Sequence, residues 1–479
     1  MTVLSQVFEH IDQNKDAHIK SLSDAVAIPS VSAWVTHRGH SLKCAQFFSD
    51  RLQALGFSTE LRSPPIQHKV EGQIVELPPV ILARSANEDP SKKTLLIYGH
   101  IDVQPAEKSD GWNTEPFDLT ERDGKLFGRG ATDDKGPVLA WTNAIEAFQK
   151  VGNNPVNARF ILEGMEESGS VGLEELLNDM KAKKDSFLQG IDYCVISDSY
   201  WLGDTRPCIA YGLRGAIYFL IEIECANQDL HSGCCGSLVH EAMSDLVWML
   251  SQLTDVQGEI LVPGIMEKVR ALSKEEAATY QGIDFDIPKR RTEMGAPMFI
   301  HEKDPARTLQ GIWRYPCLSI HGIEGAFSEK GFKTVIPGKA VGKFSIRTVP
   351  DMTSEDTQKK VLDYLNDLWK KRGSPNRAVF SSPDAGNWYY ADPNSPNYMA
   401  ARRAMQTVYN VAPNLIREGG SIPITLVLSE CTGKDVCLLP IGCSNDGAHS
   451  QNEKINVDNY VMGAKVMAAY MQELSDIKP

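Results

Sequence analysis

Thr94-Leu95-Leu96-Ile97-Tyr98-Gly99-His100-Ile101-Asp102-Val103 is an apolar run that ends in an imidazole and a carboxylate two residues apart. Side chains at i and i+2 of a strand share a face, so His100 and Asp102 reach one place at the end of a buried strand. In open α/β sheets ligands bind outside the carboxyl ends of the strands, which is where this pair falls. The bland alternative is a strand tip whose His and Asp satisfy each other, and this window alone leaves both readings open.

The same layout recurs along the chain. Asn157-Ala158-Arg159-Phe160-Ile161-Leu162-Glu163 reads as a buried strand running into Gly164-Met165-Glu166-Glu167-Ser168, and Asp192-Tyr193-Cys194-Val195-Ile196-Ser197-Asp198 repeats it. Val436-Cys437-Leu438-Leu439-Pro440 is a further strand, followed by the loop that carries His449. Neighbouring carboxylates such as Glu166 and Glu167 repel unless a cation or a role compensates. Asp133 and Asp134 precede a helix with Val138, Trp141, Ile145 and Phe148 inward and Pro137 in its first turn. The helix dipole favours acids there, so a plain capping role is the alternative for either Asp.

Residues 2–56 carry a helical pattern, with Leu42, Ala45, Phe48, Leu52 and Leu55 inward and Gly56 as a stop. Residues 63–76 and 104–130 read as polar, turn-rich connections. From about Tyr211 the texture changes. A partly alternating strand at 216–224, an amphipathic helix at 240–253 with Met243, Leu246, Val247, Leu250 and Leu253 inward, strands at 317–321 and 342–347, and a helix at 354–369 predict an inserted α+β domain. Lys289-Arg290-Arg291 reads as a solvated loop. A helix at 398–408, the turn 417–423 and a final helix from Val457 return to the first texture. The expected organisation is a catalytic domain at 1–210 and 390–479, interrupted by a second domain at 211–389.

Composition limits the function classes. The 479 residues are 42% hydrophobic and 23% charged, ordinary for a soluble protein, and a net charge of −13 disfavours nucleic acid and anionic lipid as partners. No apolar run approaches the roughly 18 residues a membrane span needs. Ten scattered cysteines without CxxC spacing fit free thiols in a reducing compartment, so a cytoplasmic location is expected.

His100, Asp133, Glu167, Asp198 and His449 together make two imidazoles and three carboxylates at strand ends or a helix entrance. Such donors suit zinc or manganese, and five are enough for two ions sharing one carboxylate. Two such ions polarise a carbonyl and hold a water of lowered pKa, which is hydrolytic chemistry. Glu166, beside Glu167 in a chain expected to be extended there, is the candidate general base, and Asp102 is placed to accept the free ring N–H of His100.

The segments GHIDVQP, GRGATDDKG, EGMEESGS, SDSYWLG, DLHSG, REGGSIP and NDGAHS resemble those of the M20 metallopeptidases, in the branch of cytosolic nonspecific dipeptidases and carnosinases. The resemblance spans essentially the whole chain. It implies an α/β, aminopeptidase-like (phosphorylase/hydrolase-like) catalytic domain with an inserted α+β lid and dimerisation domain, acting as a homodimer on dipeptides of broad range, Cys-Gly among them. It also implies that His100, Asp133 and Asp198 hold one divalent ion, Zn2+ or Mn2+, and that Asp133, Glu167 and His449 hold a second. Glu166 is then the base, Asp102 the support of His100, and the Asp133-Asp134 peptide is cis. His231 of DLHSG is implied to serve the partner subunit's site, with Tyr200, Thr334, Arg347, Gly420 and Ser421 as substrate positions. Arg347 makes chemical sense as a clamp for a C-terminal carboxylate. Two departures from the branch pattern, Pro383 in place of His and Ser199 in place of Asn, bear on recognition of the substrate's amine end. The runner-up activities are an amidohydrolase for N-acyl amino acids or a carboxypeptidase using the same ions, and a non-catalytic binder would be expected to have lost Glu166 or a ligand.

Overall fold

Four parallel strands form the middle of the main sheet. In the computed structural model, which describes residues 2–70, 72–152, 154–283 and 285–478, they run Asn157–Glu163, Thr94–His100, Tyr193–Ile196 and Val436–Leu438 side by side. Their near-continuous apolar sequences follow from burial on both faces. Thr94–His100 and Asn157–Glu163 are buried at every position. Antiparallel strands extend the sheet, Val80–Ser85 and then Phe57–Arg62 beyond Asn157–Glu163, and Cys208–Leu213 beside Val436–Leu438. The helix Lys135–Val151 crosses between the first two parallel strands. Its Trp141, Ile145 and Phe148 are fully covered, side chains worth about 1.5–3 kcal/mol each on burial.

By contact the chain falls into two compact units, Met1–Tyr211 with Ala391–Ile416 and Ile424–Pro479, and Gly212–Tyr390 with Arg417–Pro423. The second holds a four-stranded antiparallel sheet in the order Cys317–Glu324, Lys339–Thr348, Gly215–Glu224, Arg377–Gly386. One face of that sheet packs on the helices Ala242–Ser251 and Ser354–Arg372 around Phe219, Ile221, Leu246, Phe344 and Leu365, with Phe219 and Phe344 stacked 5.0 Å apart. The class is therefore α/β for the first unit, with an α+β insertion.

Several local expectations are corrected. The N-terminal helical pattern breaks into Val3–Gln13, Lys15–Val26 and Arg38–Ala54, and Leu42 faces solvent, because the buried stripe of the third helix runs through Ser41, Cys44, Ala45, Phe48 and Leu52. Lys289-Arg290-Arg291 is helical within Ile287–Met294. Asp286 caps that helix by accepting the Lys289 N–H, Pro288 occupies the first turn, and Arg291 pairs with Glu302 at 2.9 Å. Val247 is 53% exposed, since the buried stripe of its helix runs through Ala242, Leu246, Met249 and Leu250. A hairpin, His68–Val70 with Gln73–Val75, lies in the polar stretch read as loop, and a helix, Ile424–Thr432, follows the 417–423 turn.

Candidate metal centre

The carboxyl ends of the four parallel strands all open onto one edge of the sheet. His100 ends one strand, Glu166 and Glu167 follow a second, Asp198 a third, and His449 lies in the loop beyond the fourth. Asp133 arrives from the turn that enters the helix Lys135–Val151, and the Asp133-Asp134 peptide is cis, as expected. Among the described residues two sets of donor atoms lie close enough to share an ion, His100 with Glu166 and Asp198, and Asp133 with Glu167 and His449.

Asp133 joins the two sets. Its Oδ1 lies 3.0 Å from His100 Nε2 and its Oδ2 lies 3.1 Å from His449 Nε2. Asp198 Oδ2 is 3.7 Å from His100 Nε2, and Glu167 Oε2 is 3.0 Å from His449 Nε2. Glu166 Oε2 stands 4.0 Å from His100 Nε2, so proximity alone places it in the first set. Glu166–Ser168 forms a 3-10 turn rather than the extended chain expected, and the turn still sends adjacent glutamates to different imidazoles. His100 is buried, whereas His449 is 59% exposed and held at a positive φ of 60°.

Asp102 supports both sides. His100 Nδ1 lies 3.2 Å from the Asp102 carbonyl oxygen and 3.4 Å from its Oδ1, while the Asp102 carboxylate accepts the backbone N–H groups of Glu166 at 3.2 Å and Glu167 at 3.1 Å. Asp134 starts the helix but makes no side-chain cap. Its Oδ2 instead accepts the backbone N–H of His100 at 3.1 Å, so the capping alternative fails for this residue.

The electrostatics ask for positive charge. Burial pushes the Asp198 carboxyl up to about 7, with Asp133 adding to the effect, and burial holds Glu166 well above the carboxylate range. Hydrogen bonds to Asp133 and then Glu167 raise His449 to about 11. Burial opposes a charged His100, but Asp102, Asp133, Asp198 and Glu166 outweigh it and hold the ring well above its ordinary value. Burial likewise opposes ionisation of Asp133, yet its hydrogen bonds to the two imidazoles carry it well below the usual range. Both imidazoles therefore sit among carboxylates that favour positive charge in the space between them. Nitrogen and oxygen donors with a shared carboxylate and no thiolate fit a pair of divalent ions.

Other polar residues surround this centre. Gln104 Nε2 donates to Glu167 Oε2 at 2.8 Å. Glu453 accepts the backbone N–H groups of Gly130, Thr132 and Asp133 and pairs with Arg129 at 2.7 Å, fixing the turn that presents Asp133. Neither stood out in the sequence, because each acts on a segment remote in sequence, Gln104 on the Glu167 side chain and Glu453 on the backbone of residues 130–133. Tyr200 Oη and Ser199 Oγ are buried without a hydrogen-bond partner among the described residues.

The other residues expected to meet the substrate lie in the second unit. Arg347 Nη1 donates to Ser421 Oγ at 2.7 Å, so those two and neighbouring Gly420 come together. Thr334 adjoins the short strand pair Leu230–His231 with Val335–Ile336, and its carbonyl accepts the Ser232 N–H, which sets it beside His231. His231 is exposed, and its Nδ1 accepts the Gly233 N–H at 3.0 Å.

An α/β sheet with paired imidazole–carboxylate sets at its carboxyl edge defines a metal-dependent hydrolase. Residues 96–473 match peptidase family M20/M25/M40, and the chain belongs to that family of peptide-bond hydrolases. It is 46% identical over 478 residues to a Cys-Gly metallodipeptidase, dug1, of Schizosaccharomyces pombe, covering 99% of both chains. It is also 46% identical over 478 residues to a Beta-Ala-His dipeptidase of Homo sapiens, covering 99% of this chain and 93% of that one. Among solved structures, human carnosine dipeptidase 1 superposes with a TM-score of 0.90 at 45% identity, and the di-peptidase Dug1p from Saccharomyces cerevisiae with 0.91 at 44%, each with complete coverage of both chains.

Proposed function

We propose that this chain hydrolyses dipeptides of broad range, Cys-Gly among them, with His100, Asp133 and Asp198 holding one divalent ion and Asp133, Glu167 and His449 a second. Zn2+ and Mn2+ are the ions the donors suit. When bound, such a pair supplies Lewis-acid polarisation of a carbonyl and a water of lowered pKa. The supporting observation is Asp133, whose two oxygens face the imidazoles of the two sets at 3.0 and 3.1 Å.

Glu166 is the general base, although proximity alone groups it with the ligands. It takes the proton of the attacking water and returns it to the leaving amine. Support comes from its place beside the first set, where Glu166 Oε2 stands 4.0 Å from His100 Nε2 while its neighbour Glu167 turns to His449. Asp102 holds His100 and the Glu166–Glu167 backbone in register. Arg347, steadied by Ser421, binds the substrate's C-terminal carboxylate, and Tyr200, Thr334 and Gly420 line the substrate. The second unit serves as lid and dimerisation domain, and His231 of one subunit donates to the oxyanion in the site of its partner. A cytoplasmic location is supported by ten free cysteines, and no helix among the described residues is long and apolar enough to cross a membrane.

The test is metal analysis of the purified protein together with a panel of Cys-Gly, Ala-Gly and N-acetyl amino acids. Two ions per chain and turnover of the dipeptides are expected. Turnover of the acyl compounds alone would overturn the assignment, and a Glu166→Gln variant that keeps its ions and full turnover would refute the base.

A further inference from the structure

The turn that carries Glu166 and Glu167 is gripped from two sides. On the inner side stands Asp102, accepting both backbone N–H groups. On the outer side runs a segment that the proposed chemistry does not use, residues 30–40. Ser30 Oγ donates to the Ile101 carbonyl at 2.6 Å, the Val103 N–H donates to the Ser30 carbonyl at 3.1 Å, and Val31 bridges Val103 in parallel. This segment therefore lies along the residues that present Asp102. It then crosses to the glutamate turn, where Ser32 Oγ meets Ser168 Oγ at 2.9 Å and Arg38 Nη1 donates to Met165 Sδ at 3.0 Å.

The Arg38 contact is unusual on energetic grounds. A thioether is a weak acceptor, and Arg38 Nε is buried with no partner among the described residues. Covering even part of a guanidinium with so poor a partner costs stability. Its position is nonetheless tightly defined. Arg38 opens the 17-residue helix Arg38–Ala54, and the T-shaped contacts of Trp34 with His37 at 4.8 Å and His37 with His40 at 5.1 Å stiffen the approach. Met165, which receives the contact, is 3% exposed and immediately precedes Glu166. Burial lowers the Arg38 guanidinium from its ordinary value, and the charge of Asp102 works against that lowering.

We infer that Arg38, with Ser32, is a positioning residue for the general base: it holds the Met165–Ser168 turn against Asp102 so that the Glu166 carboxylate stays in line with the water it deprotonates. The inference rests on the assignment of Glu166 as the base. Displacing a catalytic group by about 1 Å can cost on the order of 100-fold in rate. Loss of one of two outer contacts is accordingly expected to cost about tenfold.

The experiment measures kcat, KM for a dipeptide, bound metal and thermal midpoint for Arg38→Met, Arg38→Lys and Ser32→Ala, with Glu166→Gln alongside. Arg38→Met is expected to lower kcat about tenfold with KM within roughly threefold, both ions retained, and partial recovery in Arg38→Lys. Ser32→Ala should show the same pattern more weakly, and it carries the test alone if Arg38→Met does not fold. Unchanged kcat in both Arg38→Met and Ser32→Ala, or metal content that falls in step with kcat, would overturn the positioning role. An inactive Glu166→Gln beside fully active brace variants sinks the brace alone, whereas an active Glu166→Gln sinks the base on which it rests.

Discussion

Asp102 is the residue on which most of the site depends, because it binds three neighbours at once. Its carbonyl and carboxylate face His100 Nδ1, and the carboxylate takes the N–H groups of Glu166 and Glu167. Replacing it with Ala leaves every expected ligand in place but frees the imidazole to rotate and takes the acceptor from two part-buried backbone donors. Asp102→Ala should therefore weaken metal binding by about 10- to 100-fold and lower kcat/KM at least as much, read by metal titration and steady-state kinetics. The pair His100 and Asp102 became legible only beside the four further segments that carry Asp133, Glu167, Asp198 and His449, because the window alone fits equally a strand tip whose His and Asp satisfy each other. Asp134 was not legible, because its partner is a backbone N–H 34 residues away and the helix entrance offered a simpler use for an Asp. Arg38, Gln104 and Glu453 were hidden for the same reason, since no local pattern marks a side chain whose partner is set by tertiary approach.

At the scale of elements, the strand ends and the helix entrance are packed too closely to move separately. A Cβ on Gly99 would meet Val138 Cγ2 at 2.5 Å and Asp134 Oδ2 at 2.8 Å, so the glycine lets the helix Lys135–Val151 lie directly on the strand that carries His100. Gly99→Ala should push that helix start away, costing about 1–3 kcal/mol in a denaturant titration and loosening metal binding through the Asp133-Asp134 turn. The strand Asn157–Glu163 carries a second test. Burial raises the Glu163 carboxyl from 4.5 to about 7 against hydrogen bonds from Tyr98 and Ser170 and with the charge of Asp102. A raised folded-state value gives stability that is present below the unfolded value and lost as pH rises through about 7. In metal-free protein, Glu163→Gln should therefore gain on the wild type between pH 5 and 8, by up to about 3 kcal/mol in urea unfolding. Elements with one strong period, such as Thr94–His100 and the final helix, were read well. The helix Ile287–Met294 was missed because its surface is nearly all polar and only its Asp286 and Pro288 start signals betray it.

At the scale of the whole molecule, the expected residues are distributed over two compact units. The metal sets, Asp102 and Glu166 belong to the first unit, while His231, Thr334, Arg347 and Ser421 belong to the second. If His231 acts on the partner's site, then no subunit is complete by itself, and two inactive variants can repair one another. In a mixed dimer of His231→Ala and Glu166→Gln subunits, the site that retains Glu166 receives its histidine from the other chain and is whole, whereas the second site lacks both groups. Random pairing at equal amounts makes half the dimers mixed, each with one working site of two, so about a quarter of the wild-type activity should return after the separated variants are dissociated and reassembled together. If His231 serves its own subunit, each mixed dimer has one site without the histidine and one without the base, and activity stays at the level of the separate variants. Recovery near a quarter therefore supports a shared site, and absence of recovery in reassembled dimers of verified mixed composition rejects it.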